Sequence, residues 1–160
     1  MPDKYFEEHA VGDTWTSHGR TITEADIVNF AGVSGDFHPS SMDERFAQTT
    51  AFKRRIAHGA LTFSATMGLA WQMKMNTKNF TYGIDRLRFI RPVFAGDSIY
   101  VVGTVTEIAD YEKRAELGFV VMRYDTFNQD DELVFTCIHR MLMMRRDAPV
   151  VATDGEVVAR

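Results

Sequence analysis

Residues 59 to 73, GALTFSATMGLAWQM, are apolar around most of a helical circumference and rich in small side chains. A surface helix shows one apolar stripe opposite a polar one, so this pattern describes a helix buried on nearly all sides. Such a helix needs a partner that wraps it. The second half of the chain provides one, in four β-like runs at 84 to 94, 98 to 109, 115 to 128 and 132 to 144. In the last run Leu133, Phe135, Cys137, His139, Met141 and Met143 alternate with Val134, Thr136, Ile138, Arg140, Leu142 and Met144. Both faces are therefore expected to be largely covered, with only Thr136 and Arg140 wet. Ala95-Gly96-Asp97 and Asn128-Gln129-Asp130-Asp131 supply turn chemistry between runs. The connections are short, which predicts antiparallel pairing of neighbouring strands.

One long buried helix followed by a curled antiparallel sheet is an α+β layout in which the sheet wraps the helix, the hotdog arrangement. Upstream, TEADIVNFAG at 23 to 32 reads as a short helix. Thr23 and Asp26 have the form of a capping box, and Gly32 is the expected stop. Ser41 with Glu44 repeats the capping pattern and predicts a second helix over 42 to 48. The nine residues GDFHPSSMD, 35 to 43, then lie between two helices and bring an acid, a histidine, a proline and two serines together.

The chain has 160 residues, enough for one domain with a core that needs no disulfide or metal. No repeat or low-complexity linker divides it, so a single domain over 1–146 is expected. Residues 147–160 show no firm pattern and are expected to be a mobile tail or a small edge addition. Hydrophobic residues are 45% and charged residues 25%, ordinary for a globular protein. The net charge of -4 argues against nucleic acid as the main partner, because phosphate binding needs a clustered positive field. Cys137 is the only cysteine, so neither an intrachain disulfide nor a cysteine zinc site is expected. The beginning, MPDKYFEEHAVGDTW, lacks the apolar core of a secretory signal, and no run is long enough to span a membrane. A cytoplasmic protein with no membrane partner is the expectation.

Several residues invite two readings each. Asp36 suits a general base if burial moves its pKa toward neutrality, and it equally suits an Asx turn. His38 can move protons near neutral pH, but its place before a proline also fits a structural role. Ser41 can hold a water or ligand atom by hydrogen bonds, or simply cap a helix. His58 and Gly59 stand at the start of the buried helix, where free backbone N–H groups and the positive dipole end gather. Gly59 equally permits close helix approach. Lys53, Arg54 and Arg55 form a basic run that suits phosphates or a solvated face. No His, Asp or Glu spacing amounts to a metal site.

The order TITEADIVNFAGVSGDFHPSSMDERFAQTTAFKRRIAHGALT at 21 to 62, the buried helix, then RLRFIRPVFAGDSIYVVGTVTEI at 86 to 108 resembles the MaoC-like dehydratases. These include the (R)-specific enoyl-CoA hydratases, and the likeness runs from about residue 11 to 144. Its most specific parts are Ser34-Gly35-Asp36-Phe37, Ile56-Ala57-His58-Gly59 and Arg91-Pro92-Val93-Phe94-Ala95-Gly96-Asp97. The resemblance implies an acyl-CoA thioester as substrate, no cofactor beyond coenzyme A in that substrate, and a homodimer or larger even assembly. It also implies that the Gly59 amide holds the thioester carbonyl, with Arg54 and Arg55 near the coenzyme A phosphates. Family hydratases show Asp-Xaa-Asn-Pro-Xaa-His. Here the Asp falls on Asp36, the Asn on His38, the Pro on Pro39 and the catalytic His on Ser41, so the acid is kept and the partner histidine is absent. Three functions follow from this pattern: a hydratase working through Asp36 and His38, a non-catalytic acyl-CoA-binding subunit, and an acyl-CoA thioesterase.

Overall fold

A computed structural model describes residues 4–146 with Met75 excepted, so the tail expected over 147–160 lies outside the described residues. The chain runs through a 3-10 turn at Phe6–Glu8 and two brief strands, β1 (Thr14–Thr16) and β2 (Arg20–Thr21). Helices α1 (Glu24–Ser34), α2 (Pro39–Met42) and α3 (Glu44–Thr49) precede the long helix α4 (Gly59–Lys74). Four long strands follow: β3 (Asn79–Phe89), β4 (Ser98–Asp110), β5 (Leu117–Phe127) and β6 (Leu133–Met144).

The strands pair antiparallel in the order β1-β4-β5-β6-β3, with β2 also on β4. Curled over α4, this sheet makes the α+β hotdog fold. Leu61, Ala65 and Leu69 of α4 share one buried cluster with Val101 and Val105 of β4, Met122 of β5 and Phe135 of β6. Within it the hydroxyls of Thr66 and Thr126 lie 2.8 Å apart and satisfy each other, as buried polar groups must. The wrap is one-sided. Ala60, Ser64 and Trp71 of α4 are exposed, and their spacing puts them on one stripe that the single sheet layer does not reach.

The order of strands departs from the expected pairing of neighbours. β3 does not pair with β4 but with β6, Ile84 standing opposite His139 and Phe89 opposite Phe135. The connection 90–97 is otherwise occupied: Ala57 N–H donates to the Val93 carbonyl at 2.7 Å, and Ile56 bridges Phe94. Pro92 within it has no N–H to offer a ladder. The stretch expected as strand over 84 to 94 therefore ends at Phe89 and begins earlier, at Asn79. On β6 one face is buried, including Phe135, Cys137 and His139, while Ile138 and Leu142 of the other face are only half-buried. Thr136 and Arg140 face outward as the pattern implies, each answered by a carboxylate, Asp125 and Asp85 respectively, at 2.6 Å.

The helix ends also separate expectation from outcome. Thr23 and Asp26 form the capping box. The stop, however, is Gly35 at φ 74°, and Gly32 stays inside α1. A mid-helix glycine costs only about 1 kcal/mol, whereas a stop needs a residue that takes the left-handed conformation. Ser41 does not cap the next helix. It lies inside α2, and Asp43 caps α3 by accepting from the Phe46 N–H at 3.1 Å.

Candidate active site

Gly35 turns the chain out of α1 and delivers Asp36 at the start of a loop. Asp36 is held in three ways. Its N–H donates to Ser34 Oγ at 3.2 Å, its Oδ1 accepts from the His38 N–H at 3.1 Å, and its carbonyl accepts from His58 Nε2 at 2.9 Å. The Oδ1 contact is an Asx turn, so the structural reading of Asp36 is present in the geometry. It occupies one carboxylate oxygen of an otherwise exposed side chain.

His38 is the N-cap of α2. Its Nδ1 accepts from the Ser40 N–H at 3.2 Å, and Pro39 takes the first helical position. With Nδ1 accepting, neutral His38 carries its proton on Nε2. The ring is exposed and meets Phe46 edge-on at 6.4 Å between centroids. Ser41, 4% exposed, sits behind this loop in α2.

The segment 56–58 joins the loop to the rest of the fold. Ile56 N–H donates to the Ser40 carbonyl at 3.1 Å and His58 reaches the Asp36 carbonyl, while Ala57 N–H donates to Val93. The three motifs Ser34–Phe37, Ile56–Gly59 and Arg91–Asp97, far apart in sequence, are thus tied by hydrogen bonds. At its end Gly59 begins α4. The ring of Phe89 lies over Gly59 so closely that a Cβ there would stand 2.9 Å from the nearest ring carbon. Only glycine fits beneath the ring in this position. A cavity of about 320 Å³ opens beside it, lined among others by Phe52, Ile56, Gly59, Thr62, Phe89 and Arg91. That is the lower range of small-ligand pockets.

Phe89 and Phe52 lie outside the three short motifs, and sequence reasoning gave neither a role. The bulge that brings Phe89 there shows only in the register, which shifts between Asp85 and Arg88 around Arg86 at φ 49°. The two arginines expected near a ligand are placed differently. Arg55 spans α1 and α3, 2.7 Å from Glu24 and 3.3 Å from Glu44, and the Glu24 hydrogen bond favours its charged form further. Arg54 lies over the Phe94 ring at 3.8 Å and makes no ion pair among the described residues. Among the described residues no helix is long and apolar enough to cross a membrane.

A family described as MaoC like domain matches residues 7–122. The chain belongs to the MaoC-like dehydratases. An (R)-specific enoyl-CoA hydratase from Rhodospirillum rubrum is 38% identical over 112 residues, covering 68% of this chain and 74% of the relative. Protein MaoC from Klebsiella aerogenes is 45% identical over 98 residues, and there this MaoC-like chain covers 29% of the longer protein with 61% of its own length. The crystal structure of a MaoC-like dehydratase from Rhodospirillum rubrum superposes with a TM-score of 0.82 at 28% identity, over 91% of this chain and 99% of that one. The family match spans the tied loop, the start of α4, β3 and β4, and ends within β5.

Proposed function

We propose that this MaoC-like protein hydrates enoyl-CoA thioesters and catalyses the reverse dehydration of 3-hydroxyacyl-CoA. The observation that carries the reading is the bond from His58 to the backbone carbonyl of Asp36, which ties the loop of that exposed acid to the residue before the glycine start of a 16-residue helix; Gly59 lines the cavity and Asp36 does not. Asp36 takes a proton from water as the water oxygen bonds to the β-carbon of the enoyl thioester. The electrons of the double bond move onto the thioester oxygen, where the Gly59 amide and the positive end of α4 stabilise the enolate-like charge. The α-carbon then receives a proton either from Nε2 of His38 in its imidazolium form, which requires release of the Ser40 N–H from Nδ1 and is closed by return of the Asp36 proton to His38, or directly from Asp36. The second route balances with one residue and fits a His38 whose Nδ1 is engaged in capping. Arg54 meets the coenzyme A phosphates, and Arg55 keeps α1 and α3 together beside it. Coenzyme A enters as part of the substrate, with no further cofactor, in a cytoplasmic homodimer.

A second reading draws on Ser41. The family's catalytic histidine is replaced there by a buried hydroxyl that does not ionise near neutrality, which favours a subunit that binds acyl-CoA without turning it over. One assay separates the possibilities: loss of enoyl-thioester absorbance across short, long, branched and dicarboxylic enoyl-CoA, with free thiol followed in the same samples. Turnover that falls at least ~100-fold in Asp36→Asn, without thiol release, is the expected result. Binding with no turnover on any substrate selects the second reading, and thiol release selects a thioesterase.

A further inference from the structure

His58 is 5% exposed, yet its ring does what an apolar residue in the same space could not. Its Nε2 stands 2.9 Å from the Asp36 carbonyl, and a carbonyl oxygen only accepts, so Nε2 carries the proton. Nδ1 is then a bare acceptor, buried and without a hydrogen-bond partner within the described chain. Leaving a buried polar atom unpaired is unfavourable, and a phenylalanine would avoid it while keeping the contact with Phe30, whose ring centroid is 5.3 Å away. The reason for histidine at this position is therefore the bond that Nε2 makes.

That bond differs in kind from the others that shape the loop. The Gly35 N–H to Ala31 carbonyl, Asp36 N–H to Ser34 and His38 N–H to Asp36 bonds all close short circuits within residues 31–38. They set the form of the loop but not its distance from α4. The far end is tied across by Ile56 N–H to the Ser40 carbonyl at 3.1 Å. At the near end, α1 meets α4 through apolar packing of Ile27 and Phe30, and the hydrogen bond that holds the loop itself is the one from His58. His58 immediately precedes Gly59, so its bond links the Asp36 loop to the residue next to the Gly59 amide.

We propose that His58 is a positioning residue: through its Nε2–H bond to the Asp36 carbonyl it fixes the carboxylate of Asp36 relative to the amide of Gly59. Its consequence for rate rests on the hydratase reading above; its consequence for the loop does not. Proton acceptor and oxyanion donor must bracket the enoyl group at once, and a misplacement of about 1 Å can reduce turnover about 100-fold while leaving binding largely intact.

The test uses the full-length protein and two variants. His58→Phe keeps the volume and the Phe30 contact but removes the donor, and His58→Gln restores a side-chain N–H. Amide hydrogen exchange at His38 and Ser41 is measured by NMR, together with thermal midpoint and with kcat and KM on crotonyl-CoA. The expected result for His58→Phe is exchange faster by about tenfold or more at both amides with a thermal midpoint near that of the parent. Its kcat falls about 10- to 100-fold while KM changes less than about threefold, and His58→Gln regains most of both properties. Unchanged exchange in His58→Phe overturns the proposal whatever the rate does. Equal losses in both variants that follow a fallen thermal midpoint overturn it too, since His58 would then be an ordinary core residue. If the parent turns over no enoyl-CoA, the hydratase reading fails, and the exchange data still decide whether His58 ties the loop.

Discussion

Ser41 and Asp43 stand two residues apart, and either suits a helix cap by composition, yet only Asp43 accepts from the N–H groups of α3. Asp43→Ala is therefore expected to cost about 1 kcal/mol of stability by chemical denaturation, while Ser41→Ala leaves α3 capped. A larger loss for Ser41→Ala than for Asp43→Ala would contradict the assignment. His38 caps α2, and an asparagine side chain can accept a hydrogen bond at a helix N-cap as well. His38→Asn should keep the stability of the parent, and His38→Ala should lose about 1 kcal/mol. Their turnover then separates two roles. Equal rates in His38→Asn and the parent mean that Asp36 returns its own proton; a fall of at least ~100-fold in His38→Asn means that Nε2 delivers it.

Among the elements, the edge strand β1 is three residues long and mostly exposed, but it places Trp15 opposite Gly103 of β4. The indole lies where a Cβ on Gly103 would be, and it packs edge-on against Tyr124 at 5.8 Å. Gly103→Ala must push the ring away from both, so a loss of about 1–3 kcal/mol is expected from the shift of the urea midpoint. An unchanged midpoint would show that Trp15 moves freely. Sequence patterning did not reveal β1 or β2, because two or three residues are too few to show a period. Capping predicted the start of α1 correctly and its end wrongly, since a left-handed backbone at Gly35 is a property of the chain path and not of glycine as such.

Across the whole molecule, the buried His139 carries the clearest pH dependence. It lies 3.0 Å from Thr81 Oγ1 and 3.3 Å from the Tyr124 hydroxyl, and burial lowers its pKa to about 4 from an ordinary 6.5. Above about pH 6.5 the ring is neutral in both folded and unfolded chains, and stability is complete. As pH falls from 6.5 toward 4 the unfolded chain takes up the proton first, which removes up to about 3 kcal/mol. Urea midpoints at pH 7.5 and 5 should show that fall, and His139→Gln should flatten it; an equal slope in both proteins would rule it out. Among the described residues the sheet also ends on β3, which exposes Phe80, Tyr82 and Phe89, each more than half accessible. An unpaired edge carrying that much apolar surface is expected to meet a second copy, and light scattering should give a dimer or larger even assembly. A monomer would count against the homodimer proposed for this site.

The sequence by itself determined the fold class and the family, because a mostly apolar helix and alternating runs are properties of neighbours a few positions apart. It also brought Asp36, His38, His58 and Gly59 forward as site residues, since each lies in a short motif. Only the tertiary structure decided that β3 pairs with β6, that Arg55 serves Glu24 and Glu44, and that Phe89 covers Gly59. It also decided that His58 faces the Asp36 loop across 22 positions of chain. These are contacts between segments whose local patterns are complete without each other. Their partners are chosen by which surfaces the curled sheet brings together, and no short stretch of sequence records that choice.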